Sequence, residues 1–293
     1  MASFEYIPPA GFHRSIYGCS KPSENFRLKS LLLLSGLGTI EKKSTGKQKR
    51  LDFDFISLPP QGVNFSKAST IGHVTAKFPD YTRKELDVFF QVAIYKNIAI
   101  HKNIYNELTN LFGHLGSSNH IASFLHIYRI IEQVALCLPI VSIIKKGSFD
   151  NTFSDYKGLL QGGAKSDLSV LRKYSEYHLD SSIGDSVANM SFFRTSNPAQ
   201  NVRVIKRFFT GKDAVEIVAE TADSIGIKYC NVDKLIVGFR NQFFHCLFHE
   251  KNLSISDIES PDEFLEVCNP IFINYLAFLF HEFLESEMLM WGR

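Results

Sequence analysis

The chain has 293 residues, enough for one large domain or two small ones. Apolar residues make up 45% and charged residues 21%, proportions that are ordinary for a globular protein with a sizeable core. The formal net charge of +2 gives no global argument for a nucleic-acid partner, so binding of such a partner would have to depend on a local basic patch.

The cysteines and the apolar segments predict a soluble, cytoplasmic protein. The five cysteines are scattered and include no Cys-x-x-Cys, which argues against a disulfide framework and a cysteine zinc site. The first residues contain no basic region followed by an apolar run, so we expect no signal peptide. The apolar run at 31–38 is too short to cross a bilayer, and glutamates interrupt the longer run at 274–291. We therefore expect no membrane partner.

Residues 1–81 are predicted to form a small β-containing N-terminal region. Two strand-like runs, 26–37 and 50–58, flank the polar segment EKKSTGKQKR. The second run alternates apolar and acidic side chains, with Leu51, Phe53 and Phe55 against Asp52 and Asp54. Alternation of this kind is typical of a half-buried strand. The pattern predicts a β-hairpin with a long basic loop.

Residues 82–293 are predicted to form an all-α domain. Apolar residues recur at spacings of three and four, and Thr82 followed by Glu85 matches a helix-capping box. Pro139 is expected to kink the second helix. The expected helices run from 82 to about 115, from about 119 to 146, as two short helices meeting near Gly211 within 199–226, from 232 to about 250, and from about 262 to 290. The fold class is therefore mainly α.

The segment GFRNQFFHCLFHE, residues 238–250, places polar side chains within an apolar helical run. Asn241 and His245 are four residues apart and share one face of an α-helix, whereas Arg240 and His245 would lie roughly 140° apart on an ideal helix. A two-fold axis would bring two copies of this set to one cleft. Histidine can move protons near neutral pH, and arginine can stabilise the charge that builds on a phosphate. This chemistry suits RNA cleavage and requires no metal or other cofactor.

The hexapeptide RNQFFH resembles the Arg-Asn-x-x-x-His signature of the HEPN family, the higher eukaryotes and prokaryotes nucleotide-binding domains. The resemblance covers roughly residues 85–290 and implies a helical bundle that forms a homodimer. It also implies a metal-independent endoribonuclease of the kind found in toxin–antitoxin and phage-defence systems. In this family Arg240, Asn241 and His245 would occupy the catalytic positions. An antitoxin or another regulatory protein would then be a further partner besides RNA.

Two other functions remain open at this point. A non-catalytic HEPN-like helical protein would bind RNA, a nucleotide or a protein partner without cutting. A metal-dependent hydrolase could use His245 and His249, which form His-x-x-x-His, half of a zinc site. The glutamate, Glu250, follows the second histidine, so this is not the metalloprotease arrangement, and we expect no metal.

Two further groups of charged residues each have a structural and a functional interpretation. Glu132 lies three residues after Arg129 and could form an intrahelical ion pair, or it could orient the catalytic arginine or histidine as a supporting residue. The polar segment of the hairpin could be a solvated tip, or a patch that binds the phosphates of RNA through Lys42, Lys43, Lys47, Lys49 and Arg50.

Overall fold

The computed structural model describes residues 3–9, 24–56, 75–145, 157, 170–172, 174, 181–208, 217–244 and 257–291. It is mainly α-helical with two small antiparallel sheets, which confirms the predicted fold class at that level. The helices of the described residues are α1 (Phe26–Leu34), α2 (Arg83–Val92), α3 (Ile98–Gly116), α4 (His120–Lys145), α5 (Ser181–Gly184), α6 (Pro198–Phe208), α7 (Val232–Phe239) and α8 (Pro261–Trp291).

The N-terminal region contains a three-stranded antiparallel sheet, in agreement with the prediction that this region contains β-strands. Its strands are β1 (Phe4–Ile7), β2 (Thr39–Lys42) and β3 (Lys47–Arg50), in the order β1-β2-β3. A hairpin forms, but its strands β2 and β3 span residues 39–50 and so lie mostly in the polar segment that was expected to be the loop. Four of the five basic residues therefore occupy the strands, and Lys43 lies in the turn, which ends at Gly46, whose φ of 64° suits glycine.

The first apolar run is a helix, so its prediction as a strand was wrong. Residues Phe26–Leu34 form α1, and the Asn25 side chain caps it by accepting a hydrogen bond from the Leu28 N–H at 3.1 Å. Seven of the nine residues are buried, and the helix packs on α3 and α8. A short helix that is buried on nearly all sides shows no clear 3.6-residue alternation of polar and apolar residues, so the sequence pattern could not separate it from a buried strand.

The second run, which was predicted as a strand, forms no strand beyond Arg50 over its described residues, and Phe55 and Ile56 lie in a turn. Its alternation is also wrong, because Phe53 is exposed while Asp54 is buried. The Asp54 carboxylate accepts a hydrogen bond from the Ile56 N–H at 3.0 Å and pairs with Lys77 at 2.7 Å. Residues 57 and 58 lie outside the described part of the chain.

The predicted capping box at Thr82 is confirmed. The Glu85 N–H donates to the Thr82 hydroxyl, and the Glu85 carboxylate accepts from the Thr82 N–H at 2.7 Å. The helix that follows ends earlier than expected. After α2 and a short 3₁₀ turn, Asn97 adopts a left-handed conformation with φ of 49°, and α3 starts at Ile98.

Helix α4 lies at the centre of the molecule and packs most extensively on α3 and α8. It runs unbroken through Pro139 as a single element. Its first turn is fixed by α8, since the Asp262 carboxylate accepts hydrogen bonds from the His120 and Ile121 N–H groups at 2.8 and 3.2 Å. A carboxylate at a helix N-terminus also complements the helix dipole.

A second antiparallel sheet corrects the expectation that residues 82–293 are all-α. Its strands are β4 (Val187–Ser191), β5 (Ile217–Glu220) and β6 (Ser224–Lys228), in the order β4-β6-β5. Helix α6 matches the first of the two short helices predicted within 199–226, but β5 and β6 replace the second. The turn between them is closed by Thr221, whose N–H donates to the Ser224 carbonyl at 2.9 Å. Gly211 lies outside the described residues.

The C-terminal helix is confirmed as α8, which provides much of the core. Among the residues that the structure describes, α8 alone is long and apolar enough to cross a membrane by length and composition. However, 83% of its most apolar window is buried within the protein, as in the core helix of a folded domain.

Candidate active site

The site predicted from the sequence begins where α7 changes its helical geometry. Helix α7 ends at Phe239, and Arg240–Phe244 form a π-helical turn. Such turns are rare in proteins overall, but many of them lie at functional sites. Aromatic packing holds this turn in place. Phe239 stacks on Phe264 of α8 at 5.3 Å, and Phe244 stacks on Phe124 of α4 at 5.6 Å between ring centroids. Phe243 and Phe244 are partly buried and pack against the hydrophobic core.

The structure brings Arg240 and Asn241 together beside α4. The Arg240 Nη1 donates a hydrogen bond to the Asn241 Oδ1 at 3.1 Å, and both side chains are half-buried. The guanidinium carbon lies 4.8 Å from the ring centroid of Tyr128, which is itself buried. An arginine over an aromatic ring is attracted by the negative face of the ring. No pattern in the sequence pointed to Tyr128 as a residue of this site.

Glu132 lies one turn after Tyr128 on α4 and interacts with its hydroxyl. Burial, the Glu132 charge and a hydrogen bond with Glu132 raise the pKa of Tyr128 to about 12, against the lowering effect of Arg240. Tyr128 therefore stays neutral over the physiological range. Glu132 itself is exposed. Within the described residues its side-chain contact is with the tyrosine and not with Arg240, so any support that it gives to Arg240 is indirect.

The intrahelical ion pair between Arg129 and Glu132 is not formed. Arg129 instead approaches Glu107 of α3, with 3.8 Å between its Nη1 and the Glu107 Oε2, and 59% of its side chain is exposed. His245, His249 and Glu250 lie outside the described residues. The catalytic role of His245 and the two-histidine metal hypothesis therefore stay predictions.

A pair of histidines between α3 and α4 was not singled out from the sequence. The His126 Nδ1 lies 2.5 Å from the Glu107 Oε2, and the His114 ring stacks on His126 at 5.3 Å. The hydrogen bond with His126 is the main reason that the pKa of Glu107 is lowered. Burial and the neighbouring charges of His126 and Lys42 lower the pKa of His114. The two histidines are twelve residues apart on different helices, so no sequence spacing could have joined them.

The five basic residues of the hairpin divide into two sets. Lys43 lies outside the adjacent cavity and pairs with Glu5 at 3.3 Å, whereas Lys42, Lys47, Lys49 and Arg50 line the cavity between the N-terminal sheet and the end of α3. The Lys49 Nζ lies 3.5 Å from the Gly116 carbonyl oxygen at the end of that helix. RNA binding by these five residues stays a prediction, and the structure adds that Lys43 lies apart from the other four.

One group of residues in the described chain has the composition of a metal site. His281, Glu282 and Glu285 on α8 bring their ligand atoms within 4.8 Å of one another. The His281 Nε2, however, lies 2.7 Å from the Lys77 carbonyl oxygen, to which it must donate, and the His281 ring stacks on Phe78. These contacts fix the loop before α2 on α8, which is a structural role.

Comparisons with protein-family models, with curated proteins and with solved structures all find no match for this chain.

Proposed function

We propose that this protein is a cytoplasmic, metal-independent endoribonuclease of HEPN type, in which Arg240, Asn241 and His245 act at the interface of a homodimer. The observation that carries the proposal is the π-helical turn Arg240–Phe244, which presents Arg240 and Asn241 together beside Tyr128. By its resemblance to that family, the protein would serve as a toxin or an anti-phage effector.

The π-helical turn supports the proposal because it changes which residues share a side. In an α-helix, residues five apart lie about 140° from each other. In a π-helix, the carbonyl of residue i bonds the N–H of residue i+5, so that residues five apart lie one turn apart on similar sides. Arg240 and His245 are five apart in the sequence. A π-helical geometry that continued to His245, which lies outside the described residues, would place His245 and Arg240 on similar sides.

The environment of Arg240 also favours a functional role over a structural ion pair. No carboxylate of the described residues pairs with Arg240, whose contacts there are the ring of Tyr128 and the amide oxygen of Asn241. Neither the ring nor the amide carries a negative charge that would offset the guanidinium, so the guanidinium can pair with an incoming anion. An arginine in this setting can bind a phosphate through its planar fork.

In the proposed reaction, the His245 imidazole accepts the proton of a ribose 2′-OH. The 2′-oxygen then attacks the adjacent phosphorus, and the bond from phosphorus to the 5′-oxygen breaks. The leaving 5′-oxygen takes a proton from an acid, for which the His245 of the second protomer is the candidate. Arg240 stabilises the charge on the non-bridging oxygens as it builds. The products are a 2′,3′-cyclic phosphate and a 5′-hydroxyl, and atoms and protons balance without a metal or another cofactor.

The test is the incubation of the purified protein with total RNA in EDTA, beside Arg240→Ala, His245→Ala and the matched control His249→Ala. The proposal predicts cutting in EDTA by the wild type and by His249→Ala, and a loss of about 10²-fold or more in the other two variants. Cutting that EDTA abolishes would favour the metal-dependent hydrolase. Absence of cutting under all conditions, with RNA still bound, would favour the non-catalytic binding protein.

A further inference from the structure

A cavity of about 670 Å³ lies between the N-terminal sheet and the last turn of α3. Its walls combine the two classes of side chain that recognise a nucleotide. Apolar residues, among them Phe4, Phe55 and Phe112, form one part, and the cations of the hairpin form the other. The volume is in the range of small-molecule sites.

The register of the hairpin places two lysines directly opposite each other. Lys42 of β2 pairs with Lys47 of β3, and both line the cavity. Like charges at directly opposed positions of a sheet destabilise it. No carboxylate of the described residues forms an ion pair with either lysine. The repulsion between them would be relieved by an anion bound in the cavity.

The other cations of the hairpin are arranged differently. Lys49 approaches the Gly116 carbonyl, where the negative end of the α3 dipole offsets its charge. Lys43 pairs with Glu5 outside the cavity. Lys42 and Lys47 are therefore the two cations best placed to bind a phosphate, with Arg50 also on the cavity wall.

An exposed aromatic ring completes the cavity. Phe53 lines it and is 50% exposed, an unusual exposure for a phenylalanine. It contacts Phe55 at 6.1 Å between ring centroids, and Phe55 in turn contacts Phe112 of α3 at 5.9 Å. The inner two rings are buried and the outer ring offers its surface to a ligand. Exposed aromatic rings beside cations are how proteins bind single-stranded nucleic acids.

We propose that this cavity binds one nucleotide of a single-stranded RNA, with its phosphate on Lys42 and Lys47 and its base against Phe53. The choice of RNA as the polyanion rests on the proposed ribonuclease function. The cavity lies at the turn between α3 and α4, and Tyr128 follows His120 by eight residues, roughly 12 Å along the α4 axis. One RNA strand can therefore reach from the cavity toward Arg240.

The test measures the anisotropy of a fluorescein-labelled 12-nucleotide single-stranded RNA in EDTA, over a range of salt concentrations. All proteins carry His245→Ala, so that binding is measured apart from cleavage. Lys42→Gln and Lys47→Gln are compared with Lys43→Gln, which removes the same charge from the same hairpin outside the cavity. Phe53→Ala is compared with Phe193→Ala, since Phe193 is a similarly exposed phenylalanine far along the chain. Unlabelled uridine monophosphate serves as the competitor for a free-nucleotide site.

The proposal predicts that the Lys42→Gln, Lys47→Gln double variant binds RNA more weakly and that the slope of log K against log salt falls by about 0.7, the value for the loss of one phosphate contact on a single strand. It predicts that Phe53→Ala weakens binding by about tenfold and that Lys43→Gln and Phe193→Ala match the parent. An equal loss in Lys43→Gln, an unchanged Phe53→Ala, or no RNA binding would overturn it. Displacement by uridine monophosphate at the RNA's own concentration would overturn the assignment to an RNA chain.

The two proposals can fail separately. If this RNA binds through the cavity but the wild type never cuts, the ribonuclease function fails and the binding site stands. If the wild type cuts and the cavity variants bind as well as the parent, the binding site fails and the ribonuclease function stands.

Discussion

The guanidinium of Arg240 lies over the ring of Tyr128, with 4.8 Å between the Cζ and the ring centroid. This contact joins the π-helical turn after α7 to the central helix α4. It positions the arginine without neutralising it, since the ring attracts the cation through its quadrupole and carries no charge. The position of the proposed catalytic arginine therefore depends on an aromatic ring.

Replacing Tyr128 separates the role of its ring from that of its hydroxyl. Tyr128→Phe keeps the ring and should leave kcat for RNA within about threefold of the wild type, because the cation–π contact is retained. Tyr128→Leu removes the ring and should lower kcat by about ten- to a hundredfold through misplacement of Arg240. Steady-state kinetics on a labelled RNA measures both, with Tyr95→Leu, an exposed tyrosine, as the control. Equal losses in the Phe and Leu variants would show that the hydroxyl, not the ring, is required.

Glu132→Gln tests whether the carboxylate of Glu132 is needed. The structure connects Glu132 to the Tyr128 hydroxyl, and a glutamine oxygen can still accept a hydrogen bond from it. We expect kcat to stay within about threefold of the wild type, since a neutral hydrogen bond is worth only about 1 kcal/mol. A loss of about a hundredfold with unchanged thermal stability would instead place the carboxylate itself in the reaction.

The features that the sequence predicted are those with a local physical signal. The capping box at Thr82 needs only residues three apart, and α8 carries a long apolar run with acidic residues in its first turn. Arg240 and Asn241 could be selected for the same reason, since they are adjacent in the sequence. The contact of Arg240 with Tyr128 was not, because it joins residues that are 112 positions apart in the sequence.

The wrong predictions have a common cause in tertiary burial. Phe26–Leu34 is covered on nearly all sides, so it shows no polar face from which to read a helical period. In the segment 217–228, strand β6 is buried while β5 is largely exposed, and their short runs resemble the end of a helix. Asp54 is buried because Lys77, from a distant part of the chain, pairs with it.

Gly113→Ala should destabilise the N-terminal sheet. A Cβ at this position of α3 would lie 2.3–2.5 Å from ring atoms of Phe4, which is buried and belongs to β1. The gain of about 1 kcal/mol in helix propensity is outweighed by overpacking, which typically costs about 1–3 kcal/mol. Thermal unfolding should show a lower Tm. Gly116→Ala is the matched control, because its neighbour is the flexible end of Lys49 at 3.1 Å, and its Tm should not fall.

A buried ion pair between α1 and α8 should make the free energy of unfolding depend on pH in the acid range. Arg27 donates two hydrogen bonds to the Glu287 carboxylate, from Nε and Nη2, each at 2.8 Å, and both side chains are almost fully buried. Burial alone would raise the pKa of Glu287, but the hydrogen bonds from Arg27 and His101 outweigh it and lower that pKa to about 2. Burial also lowers the pKa of His101, which favours its neutral form.

The sign of the pH dependence follows from the lowered pKa of Glu287. A depressed carboxylate pKa contributes stability that is present above the ordinary value near 4.5 and is lost as the pH falls toward 2, on the order of 3 kcal/mol in full. The lowered pKa of His101 has the same sign of effect. Because the unfolded chain protonates this histidine more readily, stability is also lost as the pH falls below about 6.5. Urea unfolding across this range should show a steeper fall for the wild type than for Glu287→Gln. For Glu5→Gln, at an exposed pair, the free energy of unfolding should change with pH in parallel with the wild type. A Glu287→Gln curve parallel to the wild type would contradict the lowered pKa of Glu287.

The proposed cleavage is tested most directly with an oligonucleotide that is deoxyribose throughout except for one ribonucleotide, incubated with the wild-type protein in EDTA. We expect a single cut on the 3′ side of the ribonucleotide, with a 2′,3′-cyclic phosphate on one product and a 5′-hydroxyl on the other. We expect neither Arg240→Ala nor His245→Ala to make this cut. Cutting at the deoxyribonucleotides, or a product with a 5′-phosphate, would show that the proposed 2′-OH attack is wrong.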